Sequence, residues 1–236
     1  MVSRPAAGGG RWVEVAPERL DRWLAGFSER HGGYAPVAEE RGAVAGADGV
    51  GLCLRAADGE TARLYSPPGV APADEVDQLV AAANVSRRIG LLLVRRGGYA
   101  VGVAQGSTLV ASKVDSRYVQ GRTAAGGQSQ QRFARRRANQ AHALADSAAD
   151  LVARLLLPER DRIAALVTGG DRRLVDEVLA EPRLASLAPL RAARFLEVGD
   201  PKLVVLEAAV LAARAVRIHL AGPVGPEAGV GGHRQP

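Results

Sequence analysis

Apolar residues near the N-terminus recur at the spacing of a helix, and this periodicity predicts a helix over 13–31. Two apolar runs further on, 50–54 and 61–65, flank an Asp-Gly pair and therefore predict a β-hairpin. These elements indicate a small N-terminal α+β segment over 11–83. The polar, glycine-rich residues 1–10 before it are expected to form a flexible lead.

The pattern changes after residue 84, where three strand-like runs are separated by glycine-containing turns. These runs, 89–95, 99–104 and 108–114, predict an antiparallel meander. A helical apolar stripe then runs from near Ser129 to Pro158 and predicts a long helix. Further strands are predicted over 162–167, 194–198 and 216–220, and further helices over 171–180 and 203–214.

Strands before and between helices are typical of an α/β fold. We therefore expect an α/β domain over 84–221, built as a mixed sheet with flanking helices. The glycine- and proline-rich residues 222–236 are expected to be a disordered tail.

Composition narrows the class of protein. The hydrophobic share is 47% and the aromatic share 4%, which indicates a globular protein with an aliphatic core. Cys53 is the only cysteine, so an internal disulfide framework and a cysteine-based zinc site are excluded. The four histidines are scattered without ligand spacing, and we expect neither a metal nor a cofactor. With no secretory signal and no apolar stretch of bilayer length, a soluble cytoplasmic protein is expected.

The net charge of +6 is concentrated in one segment, residues 113–140. This segment holds seven basic residues and one acid, Asp115, so the charges of the remaining residues sum to zero. Clustered positive charge indicates a partner of opposite sign, most commonly a phosphate backbone. A solvated arginine face is the alternative, but charge that serves solubility alone is normally dispersed. The candidate RNA-binding residues are Lys113, Arg117, Arg122, Arg132, Arg135, Arg136 and Arg137.

Three of these arginines, Arg132, Arg135 and Arg136, share one face of the predicted long helix. Cations in the first turns of a helix oppose its dipole and cost a few tenths of a kcal/mol each. A bound phosphate reverses that sign, because helix N-termini attract anions and arginine binds phosphate through two hydrogen bonds. The placement therefore favours a helix that faces RNA.

Immediately before this helix stand Gly126, Gly127 and Gln128. Two glycines allow positive φ and a close approach of the backbone to a partner. A glutamine cannot act as a general base, but its amide can orient a water and its backbone N–H can stabilise an oxyanion. The residues themselves indicate an uncharged polar group in close contact with its target.

The full segment reads Gly-Gly-Gln-Ser-x-x-Arg-Phe-Ala-Arg-x-Arg over 126–137. It resembles the catalytic loop of eukaryotic and archaeal class I peptide-chain release factors. The flanking residues 118–125 and 138–139 resemble those of the actinobacterial VLRF peptidyl-tRNA hydrolases, and a looser similarity runs from about residue 85 to 220.

The resemblance implies a mixed sheet like that of the release-factor catalytic domain. It also implies ester hydrolysis of peptidyl-tRNA on stalled large ribosomal subunits, as part of ribosome rescue and quality control. The implied partners are ribosomal RNA and peptidyl-tRNA, with no membrane and no DNA. Residues 1–80 do not resemble a domain that reads stop codons, so codon-independent rescue is expected.

Two questions stay open at the level of sequence. Related quality-control factors carry Gly-Gly-Ser-Gln, so Gln130, which also follows a serine, is the alternative to Gln128 as the acting glutamine. Counting back from Ala134 and Arg135 favours Gln128. A non-catalytic ribosome- or tRNA-binding factor is the alternative function, and a nuclease has little support because no metal ligands or paired histidine base are visible.

Overall fold

The computed structural model describes residues 2–7, 9–37, 47, 49–116 and 129–222; for residues 2, 116 and 129–138 the description covers the backbone. The described residues form two compact units. The first unit takes those up to Ser66, together with 72–81 and 216–222. The second unit takes 67–71 and the described part of 82–215.

Eleven strands and five helices are found in the described ranges. In chain order the elements are β1 (Val2–Pro5), β2 (Arg11–Val15), α1 (Leu20–His31), β3 (Tyr34–Pro36), β4 (Leu52–Ala56), β5 (Thr61–Tyr65), α2 (Val76–Asn84), β6 (Arg88–Arg95), β7 (Gly98–Gln105), β8 (Thr108–Ser116), α3 (Ser129–Leu156), β9 (Ala165–Gly170), α4 (Arg172–Leu179), β10 (Arg191–Leu196), α5 (Leu203–Arg214) and β11 (Val216–Ala221). Short 3₁₀ helices occupy Pro17–Arg19, Leu157–Glu159 and Pro182–Leu190.

The first unit is built on a six-stranded antiparallel sheet in the order β1-β2-β11-β5-β4-β3. Strand β11 lies between β2 and β5, with Ile218 opposite Val13 on one side and Leu64 on the other. Alternate residues of β11 are buried, as expected for a strand with one face on a core. Helix α1 buries the predicted apolar stripe, which includes Leu24 and Phe27.

The second unit is built on a five-stranded mixed sheet in the order β10-β9-β6-β7-β8. Strands β10, β9 and β6 are parallel, whereas β6, β7 and β8 form the predicted antiparallel meander. Helices α3 and α4 pack on one face of this sheet and α5 on the other. Because both faces are covered, β6 is almost continuously apolar and buried. The predicted α/β class, a mixed sheet with flanking helices, is confirmed.

Helix α3 contains 28 residues, which corresponds to a length of about 42 Å. Its buried side chains pack against β6, β7 and α4, and in the described ranges the first of them is Leu144. From Ser129 to Leu144 the helix rises about 22 Å. It ends at Leu156, just before Pro158, because proline cannot continue the hydrogen-bonding pattern.

Several predicted boundaries are wrong. Residues 2–5 form β1 rather than part of a flexible lead, because they pair with β2. The predicted helix over 13–31 begins only at Leu20, since Val13–Val15 alternate in burial as part of β2. Strand β9 begins at Ala165 instead of 162.

The predicted domain boundaries change for a related reason. The last strand, β11, pairs with strands of the first unit, so the second unit ends at Ala215 and the predicted α/β domain over 84–221 loses that strand. Most of the predicted tail, residues 223–236, lies outside the described residues.

Candidate functional site

The carboxyl ends of four strands meet at one edge of the second sheet. Strands β6, β8, β9 and β10 run in the same direction, and β7 runs against them. Helix α3 follows β8 along the chain and α4 follows β9. This carboxyl edge is where open α/β sheets bind ligands, and helix N-termini there favour anions.

The predicted catalytic residues belong to the connection between the end of β8 and the start of α3. Gly126, Gly127 and Gln128 lie outside the described residues, and so do Arg117 and Arg122. The backbone of Gln130 is helical, as is that of the predicted RNA-binding residues Arg132, Arg135, Arg136 and Arg137. The long helix thus begins where the sequence predicts, directly after Gln128.

Lys113 is the predicted RNA-binding residue whose side chain is described. It is exposed on β8, the edge strand of the second sheet. Its cross-strand partner is Val101, which packs in the core on the α3 face. Because cross-strand partners lie on the same face of a sheet, Lys113 stands on the face covered by α3.

Asp115, the single acid among residues 113–140, already accepts a hydrogen bond. The hydroxyl of Tyr99, a buried residue of β7, donates a hydrogen bond to Asp115 Oδ2 at 3.1 Å. Asp115 and Tyr99 are also direct cross-strand partners. The carboxylate is therefore held against the sheet by Tyr99.

Polar contacts on neighbouring elements fix the inner half of α3. His142 Nδ1 lies 2.9 Å from Glu177 Oε1 of α4, and its Nε2 lies 3.8 Å from Asp146 Oδ2. One turn later, Asp150 accepts a hydrogen bond of 2.6 Å from Arg183. Each pair is exposed and worth little by itself. Together they restrain the direction in which α3 leaves the core.

We expect His142 to titrate above its usual pKa near 6.5, because the hydrogen bond to Glu177 and then the charge of Asp146 favour the protonated ring. A raised pKa means that the contact stabilises the α3–α4 pairing fully below pH 6.5 and loses this contribution as the pH rises through the raised pKa. NMR titration of the His142 ring measures it. In Glu177→Gln the pKa should fall back towards 6.5; a wild-type value at or below 6.5 would contradict the prediction.

The turn between β9 and α4 is structural. Gly170 has φ +98°, and a Cβ there would lie 2.2 Å from the carbonyl oxygen of Val94. Asp171 caps α4 by accepting hydrogen bonds from the backbone N–H groups of Arg173 and Leu174. The carboxylate of Asp171 thus takes the place that a phosphate would occupy, as expected for a simple turn rather than a phosphate-binding loop.

A second basic feature, which the sequence does not predict, is an open cleft of about 550 Å³ lined by Arg87, Arg88 and Arg162. It lies at the amino ends of β6 and β9, opposite the carboxyl edge. Glu159 accepts a 2.6 Å hydrogen bond from Arg88 and lies 3.9 Å from Arg162. One carboxylate thus faces two of three guanidinium groups. No local motif joins Arg87 and Arg88 to Arg162 and Glu159, because the two pairs are about 70 residues apart along the chain.

In the part of the chain that the structure describes, no three His, Cys, Asp or Glu side chains form a group that could hold a metal ion. Cys53 is buried in β4. None of the described helices is long and apolar enough to cross a membrane.

Residues 87–219 match the family model of the Actinobacteria/chloroflexi VLRF1 release factor, which is more than half of the chain. The chain belongs to the VLRF1 release factor family. The match begins at the first strand of the second sheet and includes the connection between β8 and α3.

Two solved structures are similar to this VLRF1 release factor family member. The crystal structure of the archaeal translation termination factor aRF1 is 17% identical, with 53% of this chain and 34% of that chain covered and a TM-score of 0.37. An archaeal protein is 16% identical, with 68% of this chain and 50% of that chain covered and a TM-score of 0.35. The chain spans about a third and a half of their lengths, and similarities this distant carry no argument about function. No curated protein sequence matches the chain significantly.

Proposed function

We propose that the protein is a codon-independent peptidyl-tRNA hydrolase that releases nascent chains from stalled large ribosomal subunits in the cytoplasm. One observation carries the proposal. In a member of the VLRF1 release factor family, Gly126-Gly127-Gln128 connects the carboxyl end of β8 to the N-terminus of α3. A Gly-Gly-Gln sequence directly before a long helix with arginines in its first turns suits entry into a cavity made of RNA.

In this proposal Gln128 positions the attacking water. Its side-chain amide orients the water, and its backbone N–H stabilises the oxyanion that forms on the ester carbonyl. The peptidyl-tRNA ester is already activated, so positioning can supply most of the acceleration. The helical backbone of Gln130 supports Gln128 as the acting residue, because Gln128 precedes the helix and Gln130 belongs to its first turn.

The basic residues bind the RNA that surrounds the ester. Lys113 supports this role because it is exposed on the α3 face of the edge strand that leads into the loop. We assign the same role to the arginines of the loop and of the first turns of α3. Bound phosphate would offset the unfavourable placement of cations at the helix N-terminus. The RNA contacts are Lys113, Arg117, Arg122, Arg132, Arg135, Arg136 and Arg137.

The proposal is tested with purified large subunits that carry a labelled nascent peptide still esterified to tRNA. Added protein should release free peptide and leave the tRNA intact on a denaturing gel. Intact tRNA separates ester hydrolysis from cleavage of the RNA chain. Salt-sensitive binding to the subunit without release would contradict the enzyme and support the alternative, a ribosome- or tRNA-binding factor without catalysis.

A further inference from the structure

The first unit contains a pocket of about 390 Å³ between β2 and α1. Six of its lining residues come from one side of α1, the 3₁₀ helix before it and the start of β2. These residues are Arg11, Arg19, Arg22, Trp23, Gly26 and Arg30. The pocket precedes residue 87, so it falls outside the part of the chain that matches the release factor family.

The pocket has a strong positive charge. Its four arginines are exposed, and no ion pair within the described ranges joins any of them to a carboxylate. The acid in its lining is Glu14, which already accepts a 2.5 Å hydrogen bond from Arg4. Arg22 and Arg30 lie on one side of α1, and Arg19 ends the 3₁₀ helix directly before it. Four uncompensated guanidinium groups around one pocket are suited to a ligand with several negative charges.

The pocket also offers a flat aromatic surface. The Trp23 ring stacks on Phe27 with a 5.3 Å centroid distance and an angle of 10° between the planes. Phe27 is 1% exposed and fixed in the core, so it holds the half-buried indole in one orientation. The guanidinium group of Arg30 lies over Gly26, with its Nη1 3.1 Å from the Cβ position of that glycine.

We propose that this pocket binds a single-stranded segment of RNA, with phosphates on the arginines and one base stacked on Trp23. Arginine recognises phosphate through paired hydrogen bonds, and unpaired RNA bases stack on aromatic side chains. An acidic peptide would match the charge but would leave the indole without a flat partner. The choice of RNA rests on the proposed ribosomal function, which surrounds the protein with this ligand.

The experiment measures binding of the full-length protein to a fluorescein-labelled single-stranded RNA of about 10 nucleotides, by anisotropy at several salt concentrations. The test variant is Arg22→Glu with Arg30→Glu, and the charge-matched control is Arg154→Glu with Lys202→Glu, two exposed residues of the second unit. The test variant should lose at least about 10-fold in affinity. Its salt slope should fall by about 1.4, for two lost phosphate contacts on a single strand. The control should stay within about 2-fold of wild type.

A second experiment uses tryptophan fluorescence to detect the stacking of an RNA base on Trp23. The other tryptophan, Trp12, is buried, so Trp12→Phe leaves Trp23 as the reporter. RNA should quench its fluorescence with the same midpoint as the anisotropy change, because a stacked base contacts the indole directly. An unquenched Trp23 at saturating RNA would overturn the proposal.

The proposal is also overturned if the test variant keeps wild-type affinity for RNA. The same holds if the test variant binds RNA normally but no longer binds a polyglutamate peptide. The test of the pocket can be distinguished from the test of the hydrolase activity. Peptide release by a wild-type protein whose test variant binds RNA normally would reject the pocket and keep the proposed function. Loss of RNA affinity in the test variant, with no release by wild type, would keep the pocket and reject the hydrolase.

Discussion

Replacing Gln128 by alanine should lower the rate of nascent-peptide release by about 100-fold or more. The substitution removes the amide that positions the water and adds or removes no charge. Loss of one group that stabilises an acyl-transfer transition state typically costs between about 100-fold and 1000-fold in rate. Single-turnover release from saturated stalled subunits measures this loss, and affinity for the subunit should stay within about 2-fold of wild type.

Gln130→Ala is the matched control, because it removes the same amide two residues further along, within α3. It should keep release within about 3-fold of wild type. The reverse result, with loss in Gln130→Ala only, would move the acting glutamine into the helix. Full activity in both variants would contradict the assignment of catalysis to this segment.

Replacing Arg194 by alanine should strongly destabilise the second unit. Arg194 is 2% exposed on β10. Its Nη1 donates hydrogen bonds to the carbonyl oxygens of Ala215 at 2.7 Å, Ala212 at 3.3 Å and Ala213 at 3.4 Å. These carbonyls lie at and just after the C-terminal end of α5, where the last carbonyls of a helix lack the usual intrahelical partners; that of Ala212 also accepts a hydrogen bond from the N–H of Ala215 at 3.3 Å. The guanidinium group thus joins β10 to the negative end of the α5 dipole.

The expected loss in free energy of unfolding is about 3–5 kcal/mol, because the substitution removes the guanidinium donor from the buried carbonyls of Ala213 and Ala215 and opens a cavity. Urea unfolding followed by far-UV circular dichroism measures the loss, and hydrogen exchange of α5 amides localises it. Arg191→Ala is the control on the same strand. Arg191 forms a 2.6 Å ion pair with Asp176 near the surface, and its removal should cost about 1 kcal/mol or less. A loss below about 1 kcal/mol for Arg194→Ala would contradict the buried cap.

Elements with a strong local pattern were predictable from the sequence. The helix over Leu203–Arg214 has both predicted bounds confirmed, and the hairpin of β4 and β5 turns where Asp58-Gly59 indicates. Both depend on residues that are neighbours along the chain. In such cases helical period or turn chemistry decides the structure before any distant contact forms.

Features that depend on distant pairing were missed. The last strand is predicted over 216–220 and observed over Val216–Ala221, but its partners Arg11–Val15 and Thr61–Tyr65 lie far away along the chain. A local pattern carries no information on which strands will be neighbours. Arg194 was missed for a similar reason, since a charged residue in a strand is normally exposed and its partners come from the end of another helix.

For the candidate site, the motif could be predicted from the sequence, but the arrangement of the strands around it could not. The Gly126-Gly127-Gln128 motif is recognised from the sequence, whereas the common direction of β6, β8 and β9 is known only from the strand pairing in the structure. Charge counting also has a limit. The charges outside 113–140 sum to zero, yet four arginines from β2, the first 3₁₀ helix and α1 line one pocket whose lining holds a single acid, Glu14.

The length of α3 fixes both the distance of its first residue, Ser129, from Leu144 and the direction in which that first turn faces. One residue added between Ser129 and Leu144 would move the start of the helix outward by about 1.5 Å and turn it by about 100°. Removing seven residues would withdraw it by about 10 Å and turn it by only about 20°. The number of residues in this half of the helix therefore sets the distance between Leu144 and the helix start at Ser129, and changes in multiples of seven would alter that distance while nearly preserving direction.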